Sequence, residues 1–259
     1  MTAIIKTPAS LLAFYAHFPL KTLPPVERPQ PALELPALWV VASDSSVLSA
    51  DVECLSAQAL LALMNKRVLL RTDMNPQGGV DGRLPTLQLP DGKLLPAHAI
   101  ENWAGAPAED DESRAWTSLL RAAVRPALLL YAQTRPSLLE WTRLKRDEWR
   151  ILISPPPPPE TGLGTPLPPL GTRIDRDRVR REFAAALHAL AERLGRDQWF
   201  LGSSSPTALD AAVFAHLHRV SQVPDLRQVL DAFPALARWT QQVHTRVLSG
   251  QTTTSGYTL

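Results

Sequence analysis

"LPTLQLPDGKLLPAHAIENW", from Leu84 to Trp103, packs three local signals into one stretch. Two short apolar runs flank Asp91-Gly92, the dipeptide preferred in a type I′ hairpin turn. Pro85 stands at the start of the first run. Helical spacing takes over from Ala97, so a hairpin feeding a helix is expected here.

The same logic extends toward the N-terminus. "ALWVVAS" (Ala37–Ser43) is a continuous apolar run rich in β-branched residues, the pattern of a buried strand. From Asp51 to Asn65 a helix is expected, with Leu55, Ala59, Ala62 and Leu63 on one face and Asp51 as its N-cap. "RVLLRTD" reads as a second strand and "MNPQGGVDG" as a glycine-rich loop. The order β-α-β, loop, β-β-α matches a thioredoxin-like half-domain. That resemblance places a cis-proline where Pro85 stands.

Beyond Glu109 only helical periodicity remains. "ESRAWTSLLRAAVRPALLLYAQ" brings Trp116, Leu119, Leu120, Ala123 and Val124 together before Pro126, which should kink or restart the helix. "SLLEWTRLKRDEWRIL" continues the pattern. "SPPPPPETGLGTPLPPLG" (Ser154–Gly171) is stiff, polyproline-prone spacer rather than core, an inserted loop in preference to an SH3-type ligand. In "RDRVRREFAAALHALAERLG", Val179, Phe183, Leu187, Leu190 and Leu194 share a face. The opposite arginines alternate with Asp175, Asp177 and Glu182, which describes a solvated face rather than a phosphate site. Thr207 and Asp210 make a T-x-x-D arrangement close to a capping box. "DAFPALARWTQQVHTRVL" closes the helical part.

The chain therefore divides into a proline-rich arm (1–36), a thioredoxin-like domain (37–108), an all-helical domain (109–249) interrupted by the spacer 154–171, and a polar tail (250–259). The fold class is α+β. The totals set further bounds. With 259 residues, 45% hydrophobic and 20% charged, the composition is that of a soluble globular protein. A net charge of +2 gives no general attraction to nucleic acid or anionic lipid. One cysteine excludes an internal disulfide and a cysteine-based zinc cluster, which suits a reducing compartment. The 25 prolines are far above ordinary usage of roughly 5%. No stretch reads as a membrane span or as a signal peptide, and a cytosol-facing protein is expected.

Two signatures then coincide: the hairpin after Pro85, and "WFLGSSSPTALDAAVFAHL" in the helical half. The pair resembles the glutathione-transferase fold, a thioredoxin-like domain packed on an all-helical one. Within that superfamily, "LSADVECLSAQALLAL" is similar to the first-helix motif of the metaxins, with Val52 where that motif usually has proline. The late helical motif and the arm "HFPLKTLPP" also resemble the metaxins, above all the smaller fungal, metaxin 2-related subunit. The resemblance spans residues 11 to 248 apart from the spacer.

It implies a non-enzymatic, cofactor-free, peripheral subunit of the sorting and assembly machinery, on the cytosolic face of the mitochondrial outer membrane. Its implied partners are the β-barrel core subunit, a second metaxin-like subunit and β-barrel precursors, and not nucleic acid. Phe14, Phe18 and Leu20 in the apolar arm are the candidate partner contacts. They would equally serve to cover the chain's own helical half. A divergent glutathione transferase is the alternative, and a transferase-like scaffold from a translation factor is a third.

Cys54 falls in the first turn of its helix, where the dipole favours a thiolate. Neighbouring Glu53 opposes that, and no second cysteine lies three residues away, so a packing role is expected. Transferases hold the γ-glutamyl carboxylate with an acidic or Gln residue and a Ser before the helix that follows the hairpin. Pro96 and Ala97 stand at those positions, and neither side chain can hydrogen-bond. Ser43, Ser45 and Ser46 are expected as turn residues rather than thiol-activating hydroxyls. His216 and His218 lie about 200° apart around a helix and cannot share a metal. "GSSSP" lacks the frame of a nucleophile elbow, and no phosphate-cradling glycine loop occurs. Trp141, Trp149 and Trp239 are expected as core residues.

Overall fold

The computed structural model describes residues 34–43, 46–132 and 175–250. All the described residues belong to one compact unit. Phe14, Phe18, Leu20, the proline spacer, Trp141, Trp149 and the tail from 251 fall outside the described residues.

A four-stranded sheet of order β2-β1-β3-β4 is built from β1 (Ala37–Trp39), β2 (Leu69–Arg71), β3 (Thr86–Gln88) and β4 (Leu94–Pro96). β1 and β2 run parallel, while β3 is antiparallel to both β1 and β4. The register aligns Leu70, Leu38, Leu87 and Leu95 across the strands, because alternate residues share a face. Leu38 and Leu87 are fully buried on it. β1 to β2 crosses over through α1 (Val52–Leu63), and α2 (Ala97–Ala104) follows β4. Between β2 and β3 the glycine-rich link includes a short 3₁₀ turn, Pro76–Gly78.

The hairpin differs from the expected type I′ turn. Leu89 N–H donates to Lys93 C=O at 2.8 Å and Gly92 N–H to Leu89 C=O at 2.9 Å, with only Gly92 at positive φ (84°). Pro90 is the reason. A two-residue loop would pair Pro90 with Lys93, and proline has no N–H to donate. Leu89 takes that role, giving a three-residue loop with glycine in the left-handed region.

The helical half comprises α3 (Asp111–Leu119), a π segment (Leu120–Val124), α4 (Arg125–Ala132), α5 (Arg176–Leu194), α6 (Ala208–Ser221), α7 (Pro224–Asp231) and α8 (Pro234–Gly250). The π segment resolves the Pro126 problem. Arg125 N–H reaches back to Leu120 C=O, one residue further than in an α-helix, so the turn widens just before the proline and the helix continues. Leu120 and Val124 are fully buried there. Val179, Phe183, Leu187, Leu190 and Leu194 form the buried stripe of α5. α1 packs extensively against α6, and α8 touches both. This contact joins the thioredoxin-like half to the helical half through one continuous core.

Candidate functional site

In a thioredoxin-like half the chemistry collects at one end of the sheet, and register fixes which residues meet there. Trp39 opposes Thr86, and Thr86 opposes Pro96. The turn leaving β1, the loop entering β3 and the β4–α2 junction therefore share that end. The Leu84–Pro85 peptide bond in the entering loop is cis. Its approach is tight: a Cβ on Gly79 would sit 2.0 Å from Arg83 O. Val80 N–H lies 3.4 Å from Thr86 Oγ1.

The turn leaving β1 is held by side chains that satisfy its backbone. Ser46 Oγ accepts from Leu48 N–H at 3.0 Å, the bond of an ordinary turn serine. Ser49 Oγ donates to Val41 C=O at 2.7 Å and accepts from Asp51 N–H at 3.2 Å. Buried Gln58 reaches back from α1, accepting from Ser49 N–H at 3.0 Å and donating to Val47 C=O at 3.0 Å. Ser43 is half-buried, and Ser45 lies outside the described residues. A lone polar residue on the apolar face "AQALLAL" was the sequence signal for Gln58.

Asp51 caps α1, accepting from Cys54 N–H at 2.9 Å. The Cys54 thiol is fully buried. Burial pushes its pKa far up, and the Asp51 charge pushes it further; hydrogen bonds to the Val41 backbone and Ser49 pull the other way and lose. One expectation is corrected here. The carboxylate acting on the thiol is Asp51, whereas Glu53 turns aside to pair with Arg125 at 3.1 Å.

At the β4–α2 junction Pro96 is the N-cap (φ −71°, ψ 166°) and makes no side-chain capping bond. Ala97 opens the helix. The nearby His98 and Asp81 are 3.9 Å apart and exposed. Among the described residues this end of the sheet thus carries turn hydroxyls engaged with the backbone, the exposed His98 and Asp81 and a sealed thiol, and neither Pro96 nor Ala97 offers a hydrogen-bonding side chain. No group of metal-ligating residues occurs among the described residues.

In the helical half, Thr207 caps α6 and Asp210 completes a capping box. The carboxylate does more than the motif requires. Fully buried, it accepts from Phe200 N–H at 2.8 Å through Oδ1, and from Thr207 N–H and Oγ1–H at 2.7 Å each through Oδ2. Burial pushes its pKa up while these bonds oppose the shift. Trp239 is core: Nε1–H donates to Gln198 C=O at 3.0 Å, and the ring meets Phe200 edge-on. His216 and His218 face different surroundings, as their spacing requires. His216 bonds Ala212 C=O within α6, and His218 stacks on His244 of α8. The arginines of α5 pair with carboxylates, Arg178 with Glu182 one turn on and Arg193 with Glu112 of α3.

Residues 183–243 match the family model of the glutathione S-transferase C-terminal domain. Solved structures extend the likeness over most of the chain. A glutathione S-transferase of Ceriporiopsis subvermispora in complex with glutathione aligns with TM-score 0.56 at 15% identity, covering 82% of this chain and 97% of that one. A glutathione transferase family member from Pseudomonas fluorescens with two glutathione bound gives 0.54 at 14%, covering 92% and 97%. The chain has the glutathione-transferase fold. The search of curated proteins returns no match.

Proposed function

We propose that this glutathione-transferase fold works through its surfaces rather than through catalysis, as a metaxin-like, peripheral subunit of the mitochondrial sorting and assembly machinery. The observation that carries the non-enzymatic part is the β4–α2 junction, where Pro96 and Ala97 replace both side chains that would hold a γ-glutamyl carboxylate. The buried, strongly shifted Cys54 supports the same reading from the other side of that end of the sheet. The metaxin part rests on the sequence motifs around Asp51–Leu55 and Thr207–Asp210 and on the arm. On this reading the protein is held at the membrane by the β-barrel subunit, alongside a second metaxin-like subunit. No described helix is long and apolar enough to cross a bilayer.

A divergent glutathione transferase is the second reading. The comparisons favour it, since the solved relatives are transferases, several bound to glutathione. Affinity purification of the tagged full chain from mitochondria separates the two. Copurification of the β-barrel subunit, with membrane association lost when that subunit is depleted, is the expected result. A chain that fractionates away from membranes and conjugates glutathione to an electrophile would overturn it.

A further inference from the structure

We propose that α6 sits on an acid-releasable seat: protonation of His216 and His218 frees α6 from α1 and α8 and opens the joint between the two halves. His216 is buried on α6, the helix that packs extensively against α1. Its Nδ1 is 2.8 Å from Ala212 C=O, which assigns the N–H to that nitrogen and leaves an acceptor lone pair on Nε2. Nε2 is buried with no hydrogen-bond partner. A proton added there would find no acceptor. It would also join two cations facing the ring, Arg121 from the π segment and Arg125 from α4, against one anion, Glu53 of α1. Glu53 already pairs with Arg125.

Two residues on, a second histidine faces the other neighbour. The His218 and His244 rings stack with centroids 5.1 Å apart and planes 13° apart, and Phe214 packs 5.5 Å from His218. Lone pairs in near-parallel planes do not converge, so the pair is no chelate, and a charge on His218 would be buried between the His244 and Phe214 rings. Arg219 adds positive charge beside them, and Gln222 Nε2 lies 2.9 Å from His218 Nε2. The other described histidines, His98 and His188, are exposed and lie elsewhere.

Burial pulls both His216 and His218 down from 6.5 to about 4. For His216 that is a roughly 300-fold weaker hold on a proton than in an opened state. The sign follows. Stabilisation by the neutral rings is complete above pH 6.5 and is lost as pH falls toward 4. Asp210, raised by burial at the start of α6, opposes the trend at the acid end.

Hydrogen exchange on the full chain between pH 7.5 and 5, corrected for intrinsic rates, tests this. Peptides from α6 and the facing part of α1 should lose protection about tenfold or more before the far-ultraviolet helix signal falls. His216→Leu should move that midpoint about half a pH unit lower. Should this variant fail to fold, the His216 ring of the wild type is followed by NMR, and should stay neutral until the joint opens. Unchanged protection at pH 5, an unmoved midpoint in the variant, or a ring titrating near 6.5 in the closed fold would each overturn the proposal.

Discussion

Replacing Asp210 with alanine should be among the most damaging single changes in the helical half, and the structure sets its size. The carboxylate accepts three hydrogen bonds at 2.7–2.8 Å with no solvent exposure. Alanine would strand two backbone donors, Phe200 N–H and Thr207 N–H, in a site closed to water. Each stranded donor costs about 1–3 kcal/mol, so the loss should be about 3–5 kcal/mol. Thr207→Ala should cost less, about 0.5–2 kcal/mol, because the cap bond it removes is long, 3.4 Å from Asp210 N. Asp210→Asn should fall between them: its carbonyl keeps one donor satisfied while its amide faces the other. At roughly 2–4 °C per kcal/mol for a chain of this size, the alanine variant should melt on the order of 10 °C below the parent. Thermal and denaturant unfolding, read by tryptophan fluorescence and circular dichroism, measure all three. If Asp210→Ala and Thr207→Ala lie within about 1 kcal/mol of each other, the stranded-donor argument fails.

The other expectations concern single contacts. Cys54 should resist alkylation in the folded protein and react fully in denaturant; rapid native labelling would show the thiol is not sealed. Gly79→Ala should cost about 1–3 kcal/mol, since the new methyl must displace the Arg83 carbonyl ahead of Pro85, and a melting curve checks it. Asp51→Ala should cost about 1 kcal/mol through loss of the α1 cap, read in the same assay. Glu53→Gln removes an anion that favours the protonated His216 ring, so loss of α6 protection in hydrogen exchange should start at the same pH as in the parent but continue to a lower pH and reach a larger total.

Features written in local periodicity were legible in the sequence. The buried stripe of α5, the Asp51 cap and the Thr207–Asp210 box are fixed within a few residues of chain. The hairpin was legible as a hairpin, but its turn type was not. Asp91-Gly92 is a strong local preference, and the missing N–H of Pro90 overrides it only once strand pairing is known. The π segment was half legible: Pro126 announced a disturbance, but whether the helix kinks, stops or widens depends on what Leu120 and Val124 pack against. Least legible were partners far apart in sequence. Glu53 looked like the neighbour of Cys54 until Arg125 claimed it. Nothing local told that Phe200 N–H would need Asp210, or that His218 would find His244. In the candidate site, Pro96 and Ala97 were readable because the absence of a hydrogen-bonding group is a property of the residue itself.

That absence also sets the last expectation, for glutathione. An anionic carboxylate at the β4–α2 junction would be held only by the first N–H groups and the dipole of α2, Ala97–Ala104. A site with a side-chain partner at each anchor position gains two hydrogen bonds to a charged group, about 1.5–3 kcal/mol each. Their loss totals about 3–6 kcal/mol, or roughly 10²–10⁴-fold in affinity at 1.4 kcal/mol per decade. A glutathione affinity in the usual cellular range would thereby fall beyond isothermal titration. Restoring the anchor is the informative control. Pro96→Glu with Ala97→Ser returns both hydrogen-bonding groups to the start of α2, and proline at 96 forms no capping bond that would be lost. If the double variant gains binding while the parent shows none, the anchor positions are what separates this chain from a transferase. A parent that already binds at micromolar concentration would mean the carboxylate is held elsewhere, and the non-enzymatic reading would go with it.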